Sequence, residues 1–598
     1  MDDLTRQLAQ LEDVQLVRRL ADDDSAYQFK HVLAQETTYQ SLLVKTRRDI
    51  HLRVAHYYEH LSAATPASNA EILAHHYFEG GDLAKTFHYS LLAGDAAARL
   101  YAHPEALMYY DRALEMIHRL SGASNAQVLT DDEIAALYTN RGRVYELSNR
   151  YDLASENYME MEKFGRATGN HTLELSGMTL RAILLATYTS EFDPVRGSEL
   201  SAQILERAQE IGDRAVEARI HWIMLLLAKY GDGNIEQAIV HGERSLELAR
   251  ALGLRELIAY TLNDLAAPYG AVSRFDATRA VLEEAIGIWK ELGNLAMLSD
   301  TIANLIQVHY YAGDMEQTMQ ASSEALRLSQ MTGSLWGQAY SQMWIGSMLA
   351  EVGEYGAALK VMQEVLHTSE TANFLPPQVA TRIDYAWLLG EVGLLEQAMQ
   401  EAERASTLLQ DIQPFAMFVL TVRIRLALLA GDLNAAEQIA AQTSDAPESP
   451  FKNDPDGMAR ITFYEAELAL AQQDYARAFA ALDSAINFFK ANHVVAFLPE
   501  ALFLKARVLD AQGDAESAIA ILSDALDASK PLPSRRMQWQ ILAMWSELEA
   551  RRGHLEMARE LRTQAREVVE YMSRHLGSAE WESAFLSLPR VRALFQEN

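Results

Sequence analysis

The chain contains no cysteine and little proline. Without cysteine, neither a disulfide nor a thiolate metal site can form. Proline accounts for only 14 of the 598 residues, so long helices can run without interruption. No stretch reaches 18 uncharged apolar residues, because the best candidate, residues 414–431, contains Arg423 and Arg425. These absences exclude a disulfide-stabilised scaffold and argue against a transmembrane helix.

Basic residues are also scarce relative to acidic ones. The sequence has 52 Lys and Arg against 82 Asp and Glu, a formal net charge of −30. Such a surface disfavours nucleic acid and anionic membranes as partners and is typical of a solubilising helical exterior. Acidic side chains also outnumber basic ones between Met1 and Glu59, which disfavours DNA binding there. The opening MDDLTRQLAQ lacks the charged and apolar regions of a secretory signal, so we expect a cytoplasmic protein.

Motifs that carry chemistry are missing as well. The patterns GxxxxGK[ST], GxGxxG, GxSxG and HExxH do not occur, and acidic residues are scattered at helix-surface spacing. Several histidines lie close together in the sequence, and His56 and His60 are one helical turn apart, a spacing found in metal sites. Packing and hydrogen bonding are the favoured roles for His31, His51, His75 and His76. We predict no catalytic residue, no cofactor and no metal site.

What the chain does have is an internal repeat. Nine turn positions recur at a spacing of about 40 residues, from which Gly431 departs slightly: Gly233, Ser273, Gly313, Gly353, Gly393, Gly431, Gln473, Gly513 and Gly553. Small side chains recur five residues after each turn position, small or slightly larger ones twelve residues after it, and usually small ones seven residues before it. A glycine at such a position can end a helix in the left-handed conformation. Small residues two turns apart let neighbouring helices approach closely, so the pattern predicts stacked helical pairs.

The order of small and aromatic residues around the turns resembles the tetratricopeptide repeat. It is clearest at Gly142, Tyr145, Ala154 and Tyr158. The period of about 40 exceeds the usual 34, and longer helices, similar to those in maltose-regulator-like sensors, would account for the difference. The resemblance implies an all-α fold, a tetratricopeptide-like α-solenoid of about twelve helical pairs in a right-handed superhelix.

The N-terminal segment is not a repeat. Its pattern predicts a helix over residues 4–20, an acidic turn over 21–25, a short strand over 27–30, and helices over 31–43 and 47–61. The stretch from Tyr27 to Glu59 resembles the segment that follows the nucleotide-binding module in multidomain signal-transduction (STAND) ATPases, especially bacterial proteins with an adenylate cyclase domain, an ATPase and tetratricopeptide repeats. The matching residues are Phe29, His31, Leu33, Gln35, Glu36, Tyr39, Leu42, Leu43, Arg47, Arg48, His51, Ala55 and the run Leu73, Ala74, His75, His76, Tyr77, with Phe585, Leu586, Pro589, Val591 and Arg592 in the tail.

This resemblance implies a domain organisation. Residues 1–62 would be the end of a winged-helix-like module, residues 63–215 N-terminal repeats, residues 216–570 regular repeats, and residues 571–598 a capping segment. The chain would then be the C-terminal half of a larger signalling protein. Since it has no phosphate-binding loop, the nucleotide chemistry of that family does not carry over. Residues 121–132 and 444–456 are expected to be loops.

The expected function is non-catalytic: a regulatory sensor region that binds a protein or peptide in the concave groove of the repeats and acts on an attached or separate nucleotide-binding ATPase module. Aligning the turns places eight aromatic and amide residues on or near that face: Tyr260, Asn263, Asn304, Gln307, Tyr310, Tyr340, Trp344 and Trp387. Aromatic residues at helical spacing are also typical of the core between repeats, so both interpretations stay open. The alternative function is the small-molecule-sensing domain of a maltose-regulator-like transcription activator. The sequence does not indicate an oligomeric state.

Overall fold

The chain forms two compact units, Met1–Tyr145 and Glu146–Asn598. The structure is a computed structural model that describes residues 2–20, 23–62, 66–121, 129–187, 189–408, 415–444, 452 and 454–596. The predicted division into four segments remains a prediction.

The first unit combines a two-stranded antiparallel sheet with helical hairpins. In the sheet, Val17 lies opposite Phe29 and Arg19 opposite Tyr27. The elements in chain order are α1 Asp2–Asp13, β1 Val17–Leu20, β2 Asp23–Phe29, α2 Val32–Ser41, α3 Val44–Leu61, a 3₁₀ turn Pro66–Asn69, α4 Ala70–Gly80, α5 Leu83–Arg99, α6 His103–Ser121 and α7 Asp131–Leu147.

The predicted helix over residues 4–20 is wrong in its last part, since residues 17–20 form strand β1. The helix ends because Gln15 adopts a left-handed φ of 61° and the Leu16 N–H donates to the Leu11 carbonyl at 3.0 Å. The acidic turn predicted over 21–25 is wrong for residues 23–25, which belong to strand β2, and its first two residues lie outside the described ones.

Reciprocal hydrogen bonds cap the start of α7. The Glu133 N–H donates to Thr130 Oγ1 at 3.2 Å, and the Thr130 N–H donates to Glu133 Oε2 at 3.2 Å. This reciprocal pair is a capping box. Most of the loop predicted just before it, residues 121–132, lies outside the described residues.

The second unit consists of helical pairs that follow one another along the chain. Its helices are α8 Tyr151–Thr168, α9 His171–Ala186, α10 Pro194–Ile211, α11 Arg214–Leu227, a π-helical turn Ala228–Asp232, α12 Ile235–Leu252, α13 Arg255–Ala271, α14 Phe275–Leu292, α15 Leu295–Tyr311, α16 Met315–Thr332, α17 Leu335–Glu351, α18 Tyr355–Thr371, α19 Leu375–Val392, α20 Leu395–Thr407, α21 Ala416–Leu429, α22 Leu433–Ala440, a 3₁₀ turn Ala441–Ser444, α23 Pro455–Ala471, α24 Tyr475–Ala491, α25 Leu498–Ala511, α26 Ala515–Ala528, α27 Arg535–Arg551, α28 Leu555–Arg574, α29 Ala579–Ser587 and α30 Pro589–Phe595.

All nine turn positions have a positive φ, between 61° and 96°, including the two that are not glycine. At Gly313 the backbone N–H donates to the Tyr310 carbonyl at 2.9 Å, and the next N–H donates to the His309 carbonyl at 3.0 Å. These bonds satisfy carbonyls that the end of α15 leaves without a helical partner. The prediction that each turn residue ends a helix in the left-handed conformation is confirmed.

Helix length explains the period. α15 has 17 residues and α16 has 18. A second left-handed turn follows the second helices α12, α14 and α16, with Gly253, Gly293 and Gly333 at φ 68–71°. These two helices, with the short turns 312–314 and 333–334, fill one whole period from the start of α15 to the start of α17. The repeat is therefore long because its helices are long, as predicted.

The small residues lie where helices approach each other. Those five residues after each turn are at most 7% exposed. Of those twelve residues after, all are buried except Thr443, because α22 ends at Ala440 and does not reach that position. The all-α, tetratricopeptide-like repeat fold is therefore confirmed. Among the described residues, no helix is both long enough and apolar enough to cross a bilayer.

One core joins early and late helices of the second unit. Buried side chains from Leu175 to Val352 share a cluster with those from Ala459 to Leu548. The Val495 N–H donates to the Tyr311 carbonyl at 2.7 Å, and the Gly356 N–H donates to the His575 carbonyl at 2.9 Å. We call this packing of residues 311–356 against residues 495–576 the return contact.

Candidate ligand site on the inner face of the repeats

The first helix of each pair presents a face made by the residues 13, 9 and 6 positions before the turn. We call this the inner face. Of the eight predicted ligand residues, six occupy these positions and two, Asn263 and Tyr310, lie beside them. Asn263, Tyr310 and Trp344 are buried at 5%, 4% and 9% exposure, whereas the other five are half-buried.

Hydrogen bonds link the inner faces of three successive first helices. Asn263 Nδ2 on α13 donates to Asp300 Oδ2 on α15 at 3.1 Å, and Asn304 Nδ2 donates to Asn263 Oδ1 at 3.0 Å. The Tyr340 hydroxyl on α17 donates to Asn304 Oδ1 at 2.8 Å. These four residues are the amide ladder. Each amide still has donor or acceptor capacity that these bonds leave unused, which a ligand backbone could take up.

A cationic side chain lies beside two carboxylates next to the ladder. Lys229 is 7% exposed, and its ammonium lies 4.4 Å from the centre of the Tyr230 ring. Burial raises the pKa of Asp264 to about 6, although the nearby Lys229 ammonium and a hydrogen bond from Trp222 Nε1 at 2.7 Å oppose the shift. Burial likewise raises the pKa of Asp300. Lys229, Tyr230, Asp264 and Asp300 are named the Lys229 cluster.

Local backbone geometry brings Lys229 to this position. The residue lies in the π-helical turn that extends α11. A π-helical turn adds a residue to the helical ring and rotates the following side chains relative to a regular helix. Such turns are frequent at functional sites, because they re-aim side chains at some loss of helix stability.

The predicted residues further along pack against later repeats. The Tyr310 and Tyr311 rings lie 6.1 Å and 5.7 Å from the Phe497 ring, and Tyr310 lies 5.7 Å from Trp344. Gln307 Nε2 donates to the Tyr311 hydroxyl at 2.5 Å. Tyr310 and Trp344 therefore contribute to the core at the return contact, and their role in ligand contact remains a prediction.

Trp387 is covered by a cation. The Arg425 guanidinium lies 3.9 Å from the centre of its ring and pairs with Glu467 at 2.7 Å and with Glu500 at 2.5 Å. Arg536 pairs with Glu351 at 2.7 Å and also with Glu500. Burial raises the pKa of Glu500, but the two guanidiniums outweigh it and lower the pKa to about 2.

A second, half-buried charge network lies on α19 and α23. Arg460 pairs with Asp384 at 2.6 Å and with Asp456 at 2.7 Å, and the Ser347 hydroxyl donates to Asp384 at 2.7 Å. Burial and the neighbouring Asp456 raise the pKa of Asp454 to about 7.

Sequence reasoning missed these charged residues, although their positions carried a signal. Seven of them occupy the three inner-face positions: Asp300, Arg460 and Glu500 the first, Asp264 and Asp384 the second, and Arg425 and Glu467 the third. Charges that recur at spacings of four and three residues share one helix face. The sequence interpretation considered only the aromatic and amide residues of this face and therefore left out its charged residues.

No protein-family model and no curated protein matches the chain. The solved structures similar to it include the following three. The Rap protein complexed with competence and sporulation factor has 13% identity over 73% of this chain and 99% of its own, with a TM-score of 0.39. The Cut9–Hcn1 hetero-tetramer of the APC/C has 14% identity over 92% and 97%, with a TM-score of 0.48. Aspartyl phosphate phosphatase F from Bacillus subtilis has 12% identity over 74% and 94%, with a TM-score of 0.32. Identities this low transfer no activity to this chain.

Proposed function

We propose that the chain is a non-catalytic interaction and sensor scaffold that binds a cationic peptide segment on the inner face of α11–α17. The Lys229 cluster carries the proposal, because it holds two half-buried carboxylates against one ammonium. A Lys, Arg or N-terminal ammonium of a ligand would complete the charge balance, and burial strengthens such a pair.

The amide ladder supports a peptide as the ligand. Asn263 and Asn304 offer amide groups at the spacing of successive repeats, and such groups can bond an extended backbone. The half-buried rings of Tyr260 and Tyr340 supply contact area with few rotatable bonds. An extended segment running across α13, α15 and α17 would meet an amide or an aromatic ring at each helix.

Site-specific crosslinking tests this function. A photo-crosslinking phenylalanine analogue replaces Tyr340, and in a second variant it replaces Met319, which is 37% exposed on the second helix α16. In cells of the source organism we expect a protein or peptide adduct at position 340 that position 319 does not form. Equal adducts at both positions, or none at 340, would contradict the proposal.

A compact ligand is the second candidate, because Lys229 is buried and the part of the inner face near Trp344 is packed against Phe497. Such a ligand would make the chain a small-molecule sensor. Native mass spectrometry of the purified protein separates the two: a bound mass of a few hundred daltons favours the sensor, and a peptide mass favours the interaction scaffold.

We further propose that the repeats regulate a nucleotide-binding ATPase module, attached or separate. The resemblance of the N-terminal segment supports this, as do apolar side chains that the first unit leaves exposed. Helix α2 has no buried residue, and Val32, Leu33 and Leu43 are 70–77% exposed. Apolar side chains exposed together mark interaction surfaces. Ligand binding would shift the ATPase between two states.

The ATPase proposal is tested by reconstituting the chain with the module. The ligand identified by crosslinking should change the ATPase rate of the pair. A Leu33→Ser, Leu43→Ser double variant should lose that response while it keeps ligand binding. If neither the ligand nor the chain changed the ATPase rate of the module, the regulatory role would be ruled out, but the scaffold role would not be.

A further inference from the structure

Three histidines of the first unit form a compact triangle. His51 lies on α3, and His75 and His76 lie on α4. The ring centres are 5.7 Å apart for His51 and His75, 5.0 Å for His51 and His76, and 5.1 Å for His75 and His76. One nitrogen from each ring lies within 4.8 Å of the others. Three nitrogen donors are thereby brought together by two packed helices.

These separations suit one shared ion. A zinc–nitrogen bond is about 2.0–2.1 Å, which places two nitrogens on a tetrahedral ion about 3.3 Å apart. The His51 and His76 Nδ1 atoms are 2.8 Å apart. Small side-chain rotations within the triangle would therefore bring all three nitrogens to bonding distance.

A neighbouring side chain orients the buried member of the triangle. The Tyr39 hydroxyl lies 2.9 Å from His51 Nε2. When the Tyr39 oxygen accepts the Nε2–H, the lone pair of His51 is on Nδ1 and points toward His76. Metal-binding histidines usually have such a partner on the other ring nitrogen, which fixes the tautomer and the ring orientation.

The surroundings of the triangle would attract a cation and leave one side open to solvent. Glu79 lies near enough for its negative charge to act on both rings and would attract a cation. His51 is buried, whereas His75 is exposed, so a solvent ligand could reach an ion from that side.

We infer that His51, His75 and His76 form a binding site for a divalent transition-metal ion of the zinc class. Neutral imidazoles suit Zn²⁺, Co²⁺, Ni²⁺ and Cu²⁺ better than Mg²⁺ or Ca²⁺, which prefer oxygen ligands. Three protein ligands with an open fourth position permit a bound water. A bound ion would link α3 to α4 and so tie the N-terminal segment of the unit to its first helical hairpin.

The test uses the full-length, untagged protein after dialysis against EDTA, with Co²⁺ as the probe. We expect one equivalent of Co²⁺ to bind with the visible absorption of a four- or five-coordinate site, and Zn²⁺ to displace it. His75→Ala should weaken binding by more than about 100-fold, since second-shell changes alone cost 10–100-fold. Tyr39→Phe should weaken it by about 10-fold, because His51 loses its orienting partner.

His60→Ala is the matched control, because His60 is an exposed histidine on the same helix as His51. It should bind Co²⁺ as the unaltered protein does. His75 is exposed, so its replacement leaves folding intact and keeps the test interpretable. The proposed site would be contradicted if the protein bound no Co²⁺, or if the His75→Ala variant bound Co²⁺ as tightly as the unaltered protein. It would also be contradicted if several Co²⁺ ions bound weakly and His75→Ala and His60→Ala reduced that binding equally.

Discussion

Asp264 places a carboxylate in a half-buried position beside a second carboxylate. Its pKa rises to about 6 from 3.8, so the native chain binds more protons than the unfolded chain between those values. Stability therefore falls as pH rises through this window, and the loss is complete above pH 6. A group that lowers stability at neutral pH points to a role in binding.

We expect Asp264→Asn to be more stable than the unaltered protein at pH 7.5 by roughly 1–3 kcal/mol, because a neutral amide avoids the cost of a buried charge. The advantage should shrink at pH 4.5, and the variant should lose the cationic ligand. Urea unfolding followed by circular dichroism at both pH values measures this. Asp524→Asn, an exposed change on α26, is the control. If Asp264→Asn and the unaltered protein were equally stable at both pH values, the proposed cost of the Asp264 charge would be contradicted.

The pKa of Glu500 is lowered rather than raised, because two guanidiniums stabilise its charged form. We expect Glu500→Gln to destabilise the second unit by about 3–5 kcal/mol at pH 7, since it leaves Arg425 and Arg536 buried without their shared carboxylate. Differential scanning calorimetry of this variant and of the exposed Glu516→Gln should separate a large shift from none. A Glu500→Gln transition that coincides with the control would show that the network carries no net stability.

At the scale of the element, each helical pair depends on residues that accept a left-handed φ. Gln473 has a φ of 61°, which costs a non-glycine residue about 1–2 kcal/mol. Gly431 has a φ of 78° and open space where a Cβ would stand. The turn conformation can therefore be tested separately from side-chain packing, because in the folded state a substitution at either position changes only the backbone strain.

We expect Gln473→Gly to stabilise the protein and Gly431→Ala to destabilise it, each by roughly 0.5–1 kcal/mol, because the change in strain is partly offset by the greater freedom of glycine in the unfolded chain. Thermal unfolding of the two variants measures the pair. If both variants changed the stability in the same direction, the effect of these substitutions would not come from the left-handed turn conformation.

The sequence predicted elements well where one local rule decides them. Turn residues, helix ends and small contact residues followed from the regular period. Prediction failed at residues 17–20, where an amphipathic pattern continued past the left-handed Gln15 into a strand. It failed again at Thr443, because the regular spacing gave no sign that α22 ends early.

At the scale of the second unit, the return contact can be perturbed at one glycine. A Cβ on Gly356 would lie 2.5 Å from the Leu576 carbonyl oxygen and 2.6 Å from that of His575. Backbone atoms cannot rotate away, so we expect Gly356→Ala to destabilise the protein by roughly 1–3 kcal/mol. Amide hydrogen exchange should quicken in α28 and α29, which pack there.

Gly287→Ala is the matched control, because nothing lies within 4 Å of a Cβ at that position on α14. Alanine in a helix interior should stabilise by roughly 0.5–1 kcal/mol. If Gly356→Ala instead stabilised the chain as Gly287→Ala does, the segments of the return contact would be able to move apart and accommodate the added Cβ.

The return contact also explains what the sequence did not reveal about the candidate site. A repeat pattern encodes contacts between neighbouring helices, which recur once in every period. The ion pair between Glu351 and Arg536 joins two distant repeats and leaves no periodic trace. The repeat pattern therefore gave no sign that Phe497 from a distant repeat packs beside Tyr310 and Trp344, whose ligand contact remains a prediction. Asn263, Asp300 and Asn304 of the amide ladder precede that contact in the chain.

The return contact has a consequence for how this protein can change in evolution. Open solenoids gain or lose whole units freely, because each repeat touches only its neighbours. Here, removing one unit between Glu351 and Val495 would shift every later residue by one repeat and separate Gly313 from Val495. The number of repeats in that span is therefore fixed by tertiary partners, as it would be in a globular domain. Lineages that alter it must rebuild both sides of the contact together.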